Sequence, residues 1–182
     1  LYFEGPYFTE KYKGAQNPSY MKDPRMDEFR AWQKASNGLL NKIALAPERN
    51  GVEEFVRTIT DEGVTVALGH SDATFDQAKA AVEAGASVWV HAYNGMRGLT
   101  HRELGMVGAM YELPHTYAEL ICDGHHVDPK ACDILIKQKG HENIALITDC
   151  MTAGGLEDGD YMLGEFPVVV ANGTAPVSYT HL

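Results

Sequence analysis

Residues 64–91, VTVALGHSDATFDQAKAAVEAGASVWVH, contain the pattern that decides the fold class. Apolar runs at Val64–Leu68 and Ser87–Val90 predict two strands. Between them, the sequence TFDQ that begins at Thr74 has the spacing of a capping box at a helix start, and Gly85 is a typical residue at a helix end. A strand, a helix and a second strand in this short stretch indicate a βαβ unit with parallel strands.

Similar apolar runs recur along the chain and predict six strands. They are Leu1–Phe3, Ile43–Ala46, Val64–Leu68, Ser87–Val90, Ala118–Cys122 and Ile144–Thr148. Most of these runs are continuous rather than alternating, as expected for parallel strands that are buried on both faces. The stretches between them predict further helices, one around Phe29 and Trp32, one from Val52 to Ile59, and one that begins at Asp128-Pro129.

The predicted sheet could be an open, doubly wound sheet or part of a barrel. Polar residues stand at or just past the ends of six different strands: Glu4, Glu48, His70, His91, Asp123 and Asp149. Barrel enzymes assemble their active sites from the carboxyl ends of many strands, whereas an open sheet binds ligands at one switch point. We therefore expect an α/β fold with a partial (β/α)₈ barrel, because 182 residues are few for a complete barrel of about 250.

The chain divides into three predicted segments. The partial barrel is expected to cover residues 1–155. After Asp149 the sequence becomes rich in glycine and acidic residues, and Tyr161–Ala171 then has the pattern of a strand or hairpin. Residues 156–175 are therefore expected to begin a small β domain, which leaves residues 176–182 as a short tail.

The composition argues against several classes of function. The net charge is −10 and the isoelectric point is near 5.2, which disfavours nucleic-acid binding through a basic face. No apolar run approaches the roughly 18 residues of a membrane span, and the first residues lack the basic segment of a signal peptide. Cys122, Cys132 and Cys150 form no CxxC pair, so we expect a reducing, cytoplasmic environment and no disulfide framework.

Two histidines at the ends of consecutive strands suggest a metal site. His70 and His91 are 21 residues apart, which corresponds to one strand–helix repeat. A single histidine at a strand end is more often structural, but two in register, with Glu4 and Asp149 at other strand ends, favour a divalent metal. Locally, Glu4 could equally be a turn residue before Pro6. Asp149 could be a proton-transfer group, a metal ligand or a helix N-cap.

Other polar residues give weaker signals. Paired histidines such as His125 and His126 usually include one that faces solvent. Arg102 lies in a loop rich in glycine and methionine and, taken alone, has the pattern of a surface charge. Cys150 has no evident basic neighbour or helix N-terminus to lower its pKa, so packing is a better interpretation than a nucleophile.

A set of collinear motifs resembles the N-acetylglucosamine-6-phosphate deacetylases of the amidohydrolase superfamily. The motifs are FEGPYF at Phe3–Phe8, KGAQNP at Lys13–Pro18, ALAPE at Ala44–Glu48, GHSDAT at Gly69–Thr74, HAYNGM at His91–Met96, DGHHV at Asp123–Val127 and TD at Thr148-Asp149. Each motif alone is weak, but together, from Glu4 to about Gly173, they are highly specific. The family has alanine where this chain has Gly95, and many members have histidine where it has Gln16.

The resemblance implies a role for individual residues. Glu4, His70 and His91 would hold the catalytic metal, zinc or iron, with one ion here or two in the complete enzyme. Asp149 would act as general base and then as general acid. The substrate-binding residues would be Ala15, Gln16, Asn94, Gly95, Arg102 and His126, of which Gln16 and His126 would contact the sugar or the acetamide carbonyl and Arg102 the phosphate. The contact made by Gln16 is open, because glutamine cannot become cationic.

The resemblance also implies that the chain is a fragment with the third to eighth barrel strands, and that residues 176–182 are a non-native tail. The implied reaction converts N-acetylglucosamine 6-phosphate to glucosamine 6-phosphate and acetate, with a sugar phosphate as the partner molecule and a dimer as the complete assembly. Alternatives are a deacetylase for N-acetylgalactosamine 6-phosphate and a non-catalytic sugar-phosphate-binding fragment. A dinucleotide-binding domain is less favoured, since no GxGxxG motif follows a strand. We expect the chain alone to be inactive.

Overall fold

The six runs predicted as strands form one parallel sheet in a computed structural model that describes residues 1–172 and 174–175. The strands are β1 (Tyr2–Glu4), β2 (Lys42–Leu45), β3 (Thr65–Leu68), β4 (Val88–Trp89), β5 (Tyr117–Ile121) and β6 (Ile144–Ile147). Each pairs in parallel with the next in chain order, from β1 to β6. The strand order never reverses, so the sheet has the winding of a barrel and not the switch point of an open sheet.

The sheet curls toward one face. Lys42 on β2 forms an ion pair with Glu119 on β5, although the two strands are three positions apart in the sheet. In a flat sheet those strands would be about 14 Å apart. Small residues, among them Ala44 and Ala67, pack with Phe8 on this concave face. The sheet is therefore a partial barrel, as the sequence predicts.

Five α-helices lie along the described part of the chain. They are α1 (Met26–Ala35), α2 (Val52–Asp61), α3 (Phe75–Glu83), α4 (Gly105–Glu112) and α5 (Pro129–Lys139). Short 3₁₀ turns occupy Glu10–Tyr12, Pro18–Tyr20 and His141–Asn143. The main core, which includes Phe29, Phe55, Trp89 and Met106, gathers side chains from these helices and from the strands.

The helix ends follow the predicted capping residues. The hydroxyl of Thr74 accepts a hydrogen bond from the Gln77 backbone N–H, and the Gln77 side chain accepts one from the Thr74 N–H. This reciprocal pair is the predicted capping box at the start of α3. At α5, Asp128 accepts from the Lys130 N–H, and Pro129 stands at the first helical position.

The sequence does not predict α4, because that helix has no polar stripe to reveal its period. Its first six residues, Gly105–Met110, are all buried. A helix buried on all sides lacks the amphipathic pattern that marks α2 and α3. Its start is capped from outside the helix, since the Glu103 carboxylate accepts from the backbone N–H groups of both Gly105 and Phe75.

A small antiparallel sheet follows the barrel strands. It consists of β7 (Gly159–Leu163) and β8 (Phe166–Val170), which pair across the turn at Gly164-Glu165. This hairpin matches the strand or hairpin predicted around Tyr161–Ala171. The predicted tail, residues 176–182, lies outside the described residues.

The outer strands of the sheet leave apolar side chains in solvent. Within the part of the chain that is described, β1 pairs with β2 alone and β6 pairs with β5 alone. Leu146 on β6 is 72% exposed, and Tyr2 on β1 is 40% exposed.

All three cysteines are free thiols. No described helix has the length and apolar character required to cross a membrane.

Candidate metal centre at the carboxyl ends of the strands

Three of the predicted site residues meet in one cluster. Glu4 ends β1, His70 lies two residues beyond β3, and His91 lies two residues beyond β4. The Glu4 Oε1 atom is 2.9 Å from His70 Nε2 and 3.2 Å from His91 Nε2, and the two nitrogens are 3.0 Å apart. Both imidazoles are buried. The sheet curl thus brings the ends of β1, β3 and β4 to a common point, and the expected convergence is observed.

Backbone carbonyls determine which ring nitrogens carry hydrogen. His70 Nδ1 lies 2.8 Å from the Tyr12 carbonyl oxygen, and His91 Nδ1 lies 3.1 Å from the Asn94 carbonyl oxygen. A carbonyl can only accept, so in each neutral ring Nδ1 carries the hydrogen and Nε2 presents a lone pair. Histidine ligands of metals are commonly oriented in this way by a second hydrogen bond.

The arrangement fits a divalent cation. Two Nε2 lone pairs and a carboxylate oxygen face one another within 3.2 Å, and these groups repel unless a positive charge lies between them. Ligands at the 2.0–2.1 Å typical of zinc are about 3.3 Å apart in a tetrahedron, close to the distances in the cluster. Two imidazoles and a carboxylate suit zinc and iron. It is the one such group of metal-ligating side chains among the described residues.

Electrostatics in the cluster also favour a negative carboxylate beside positive charge. Burial alone raises the pKa of Glu4, but in the metal-free cluster, where a proton can occupy Nε2 of a ring, hydrogen bonds and attraction from His70 and His91 hold that pKa well below its ordinary value. For His91, burial alone lowers the pKa, but the Glu4 carboxylate outweighs it and raises that pKa. Both shifts show that without a metal the Glu4 carboxylate stays ionised and favours a proton on the neighbouring imidazole.

The backbone at three candidate residues is in the left-handed region. The φ angles are +47° at His70, +29° at His91 and +48° at Asp149. Residues with a Cβ rarely adopt this conformation, and strain of this kind concentrates at functional sites. Gly14 and Gly95 leave room beside the His70 ring, since a Cβ at Gly95 would lie 3.1 Å from His70 Nδ1. The glycine at position 95, where the resemblance gives alanine, therefore lies directly against the His70 imidazole.

An open cleft of about 840 Å³ adjoins the cluster and collects most of the other candidate residues. Asp149, at the end of β6, is exposed and lines this cleft. The remaining predicted residues that line it are Ala15, Gln16, Asn94, Gly95 and His126. Arg102 does not line the cleft and is exposed in the loop before α4. Its phosphate contact stays a prediction.

His126 is held by a carboxylate. His126 Nδ1 lies 2.7 Å from Asp123 Oδ2, while Asp123 Oδ1 accepts from the backbone N–H groups of His125 and His126. Burial alone raises the pKa of Asp123, but these hydrogen bonds hold that pKa well below its ordinary value. Asp123 is therefore ionised and turns His126 Nε2 away from itself. Asp123 has no part in the site that the sequence predicts. An aspartate at a strand end, three residues before a histidine, is nevertheless a local pattern from which this contact could have been predicted.

The hairpin contributes a wall that the sequence does not predict. Leu163 and Gly164 line the cleft. Next to them, the Glu165 carboxylate accepts hydrogen bonds from the Asn17 amide at 2.6 Å and from the Tyr20 hydroxyl at 3.1 Å. These partners are more than 140 residues apart in the chain, so no local pattern could have indicated the contact.

Comparisons with known proteins agree with this geometry. An N-acetylglucosamine-6-phosphate deacetylase of Vibrio furnissii is 47% identical over 177 residues, which cover 97% of this chain and 44% of that protein. An N-acetylgalactosamine-6-phosphate deacetylase of Escherichia coli O157:H7 is 46% identical over 162 residues, covering 89% of this chain and 43% of that protein. The chain belongs to the N-acetylglucosamine-6-phosphate deacetylase family.

A solved deacetylase structure has the same fold over the shared region. A substituted N-acetyl-D-glucosamine-6-phosphate deacetylase of Mycobacterium smegmatis, in complex with N-acetyl-D-glucosamine-6-phosphate, superposes with a TM-score of 0.95 at 37% identity. That match covers 99% of this chain and 47% of the solved chain. This deacetylase-family chain therefore spans less than half the length of the relatives it matches. No family model matches the chain.

Proposed function

We propose that this chain is the part of an N-acetylglucosamine-6-phosphate deacetylase that carries its metal centre and its proton-transfer residue. The reaction is hydrolysis of the acetamide of N-acetylglucosamine 6-phosphate to glucosamine 6-phosphate and acetate. The observation that carries the proposal is the convergence of the Glu4 carboxylate with two Nε2 lone pairs, from His70 and His91, at the edge of a large cleft.

In this proposal Glu4, His70 and His91 hold one divalent cation. When bound, such an ion supplies Lewis-acid polarisation of a carbonyl and lowers the pKa of water. The three side chains share one negative charge, since the two imidazoles are neutral, so a divalent ion leaves the centre with a net positive charge that can stabilise a developing oxyanion.

Asp149 moves the proton. It lines the cleft at the end of β6 and is open to water. It accepts a proton from the attacking water as the water oxygen bonds to the acetyl carbon. It then gives that proton to the sugar nitrogen as the carbon–nitrogen bond breaks and acetate leaves. The same carboxylate ends the cycle in its starting state.

The other cleft residues bind the substrate. His126, oriented by Asp123, directs Nε2 away from its carboxylate partner and contacts the sugar or the acetamide carbonyl. Gln16, in the loop after β1, also contacts the sugar or the acetamide carbonyl. Ala15, Asn94 and Gly95 shape the pocket. Arg102 is the proposed phosphate contact on the family resemblance alone.

A second candidate is a deacetylase for N-acetylgalactosamine 6-phosphate. It is favoured by the 46% identity to a relative with that name, nearly equal to the 47% identity to a relative named for the glucosamine substrate. A non-catalytic sugar-phosphate-binding fragment is the third candidate. The choice between zinc and iron, the dimeric assembly and the cytoplasmic location stay predictions.

The test is a chimaera in which residues 1–172 replace the matching segment of the Vibrio furnissii relative. Acetate release is measured with both amino-sugar phosphates, with zinc or iron supplied after chelation. We expect metal-dependent release, faster from the glucosamine substrate. Faster release from the galactosamine substrate would favour the second candidate, and a folded, metal-loaded chimaera that releases no acetate from either would contradict the proposal.

A further inference from the structure

The carboxylate of Glu48 connects two segments that carry the metal cluster, although it is not itself a member of that cluster. Glu48 follows β2, the strand between β1 and β3 in the sheet. Its Oε1 atom accepts from the Thr9 hydroxyl at 2.6 Å and from the Asp72 backbone N–H at 2.7 Å. Its Oε2 atom accepts from the Ser71 hydroxyl at 2.7 Å. One half-buried side chain thus joins the loop after β1 to the loop after β3.

The bonds from Glu48 enclose the backbone of His70 on its carboxyl side. Ser71 and Asp72 are the two residues that directly follow His70. The His70 carbonyl itself accepts from the Thr9 N–H at 3.0 Å, and Thr9 is the third partner of Glu48. A φ of +47° is unfavourable for histidine and persists only where surrounding contacts impose it. Glu48 supplies two of those contacts, to Ser71 and Asp72, beside the backbone bonds from the Ser71 N–H to the Gly95 carbonyl and from the Arg97 N–H to the Ser71 carbonyl.

The same carboxylate also supports the group that orients the His70 ring. His70 Nδ1 donates to the Tyr12 carbonyl. Tyr12 belongs to a turn that begins at Thr9, because the Tyr12 N–H donates to the Thr9 carbonyl at 3.0 Å. Since the Thr9 hydroxyl is bound to Glu48, the position of the Tyr12 carbonyl depends on Glu48 as well. Glu48 thus supports both the backbone that follows His70 and the turn whose carbonyl orients the His70 ring.

We propose that Glu48 is a positioning residue for the metal centre, holding His70 so that its Nε2 points at Glu4 Oε1 and His91 Nε2. The inference rests on the proposed metal centre and deepens it. Glu48 is not a further ligand in this arrangement, because the group of metal-ligating side chains found among the described residues consists of Glu4, His70 and His91 without it. Outer-shell partners of this kind typically change metal affinity by about 10–100-fold when they are removed.

Two substitutions separate positioning by hydrogen bonds from other roles. Glu48→Ala removes all three bonds. Glu48→Gln can keep all three, because its amide oxygen can accept from Thr9 and Asp72 while its NH₂ group donates to the Ser71 hydroxyl, which can also accept. Glu53→Ala is the matched control, since Glu53 is an exposed glutamate at the start of α2, only five residues away.

The measurement is zinc affinity of the full chain by competition with a chromogenic chelator, together with the visible absorption of the cobalt(II)-loaded chain. We expect Glu48→Ala to weaken zinc binding by about 10–100-fold and to change the cobalt spectrum, which reports ligand geometry. Glu48→Gln and Glu53→Ala should retain wild-type affinity and spectrum. Helical content by circular dichroism establishes that each variant is folded.

The outcomes distinguish this inference from the proposed function. A folded Glu48→Ala variant with wild-type zinc affinity and an unchanged cobalt spectrum would overturn the positioning role and leave the metal centre intact. Equal weakening in Glu48→Gln and Glu48→Ala would also overturn it, because the hydrogen-bond pattern would then not be the cause. If the wild-type chain bound no zinc or cobalt, the proposed metal centre would fail and the inference with it.

Discussion

The cluster at β1, β3 and β4 and the candidate residue at β6 are held very differently. At the ends of β1, β3 and β4, Glu4, His70 and His91 converge, each imidazole donates a hydrogen bond from Nδ1 to a backbone carbonyl, and both imidazoles are buried. At the end of β6, Asp149 is exposed, and Leu146 in the same strand is 72% exposed. The proposed metal ligands are thus preorganised by contacts within the first hundred residues, whereas the proposed proton-transfer group stands at an open edge of the sheet. Metal binding and turnover should therefore be separable in this chain.

The largest expected effect is the difference in turnover between the chain alone and the chimaera. Correct positioning of reacting groups contributes about 7–11 kcal/mol to catalysis. With Asp149 at an exposed edge, the chain alone should lose at least half of that contribution. Deacetylation by the chain should then be slower by about 10³-fold or more. Acetate release at equal protein concentration is the measurement, and comparable rates from a monomeric chain and the chimaera would remove the distinction between the two regions.

Asp149→Asn in the chimaera should separate the two regions directly. The amide cannot accept the proton of water, so turnover should fall by at least ~10²-fold, the usual lower range for a positioned acid–base group. Zinc affinity should be unchanged, because the proposed metal ligands lie at the ends of other strands. Turnover close to wild type would show that Asp149 does not transfer the proton, and a loss of zinc would show that it is a ligand.

Arg102→Ala in the chimaera tests a residue that lies outside both the metal cluster and the end of β6. A charge-assisted contact to phosphate is worth about 1.5–3 kcal/mol, or about 10–150-fold. The substitution should reduce kcat/KM for the 6-phosphate by that factor and leave the slow reaction of the unphosphorylated sugar unchanged. Arg57→Ala, an exposed arginine on α2, is the control. An equal loss with both substrates would mean that Arg102 does not bind phosphate.

The smallest expected effect is a change in the free energy of unfolding caused by a substitution at the start of α3, the helix that follows His70. Thr74→Ala removes the hydroxyl that caps α3 and should lower the free energy of unfolding by about 1 kcal/mol. Thr58→Ala makes the same chemical change inside α2, where the hydroxyl bonds back to the Glu54 carbonyl, so it should be nearly neutral. Urea denaturation of the chain measures both. Equal destabilisation by the two substitutions would contradict the capping role.

Much of the fold could be predicted because its signals are local. The six strands coincide with apolar runs, most of them continuous, and α3 and α5 start after Thr74 and Asp128 with capping patterns that a sequence displays directly. In contrast, α4 is buried around its circumference, so its sequence has no helical period to detect.

The site was predictable only in part, for a related reason. His70 and His91 are recognisable from their spacing and strand-end positions, and the curl of the sheet then brings Glu4 to them. Contacts between residues far apart in the chain produce no local sequence pattern of this kind. The bonds that Glu48 makes to the loops after β1 and β3, and those of Glu165 with Asn17 and Tyr20, depend on the folded chain. The open position of Asp149 likewise follows from its place on an outer strand.

The most direct test of the account is the zinc content of the isolated chain. After chelation and equilibrium dialysis against zinc, wild-type chain should retain one ion, because three ligands already face one another within 3.2 Å. His70→Ala and His91→Ala should each weaken binding by more than ~100-fold, beyond the effect of an outer-shell partner. His141→Ala, at an exposed histidine outside the cluster, should bind as wild type does. Zinc binding that is absent from the wild type, or unchanged in both site variants, would contradict the claim that Glu4, His70 and His91 form a metal centre.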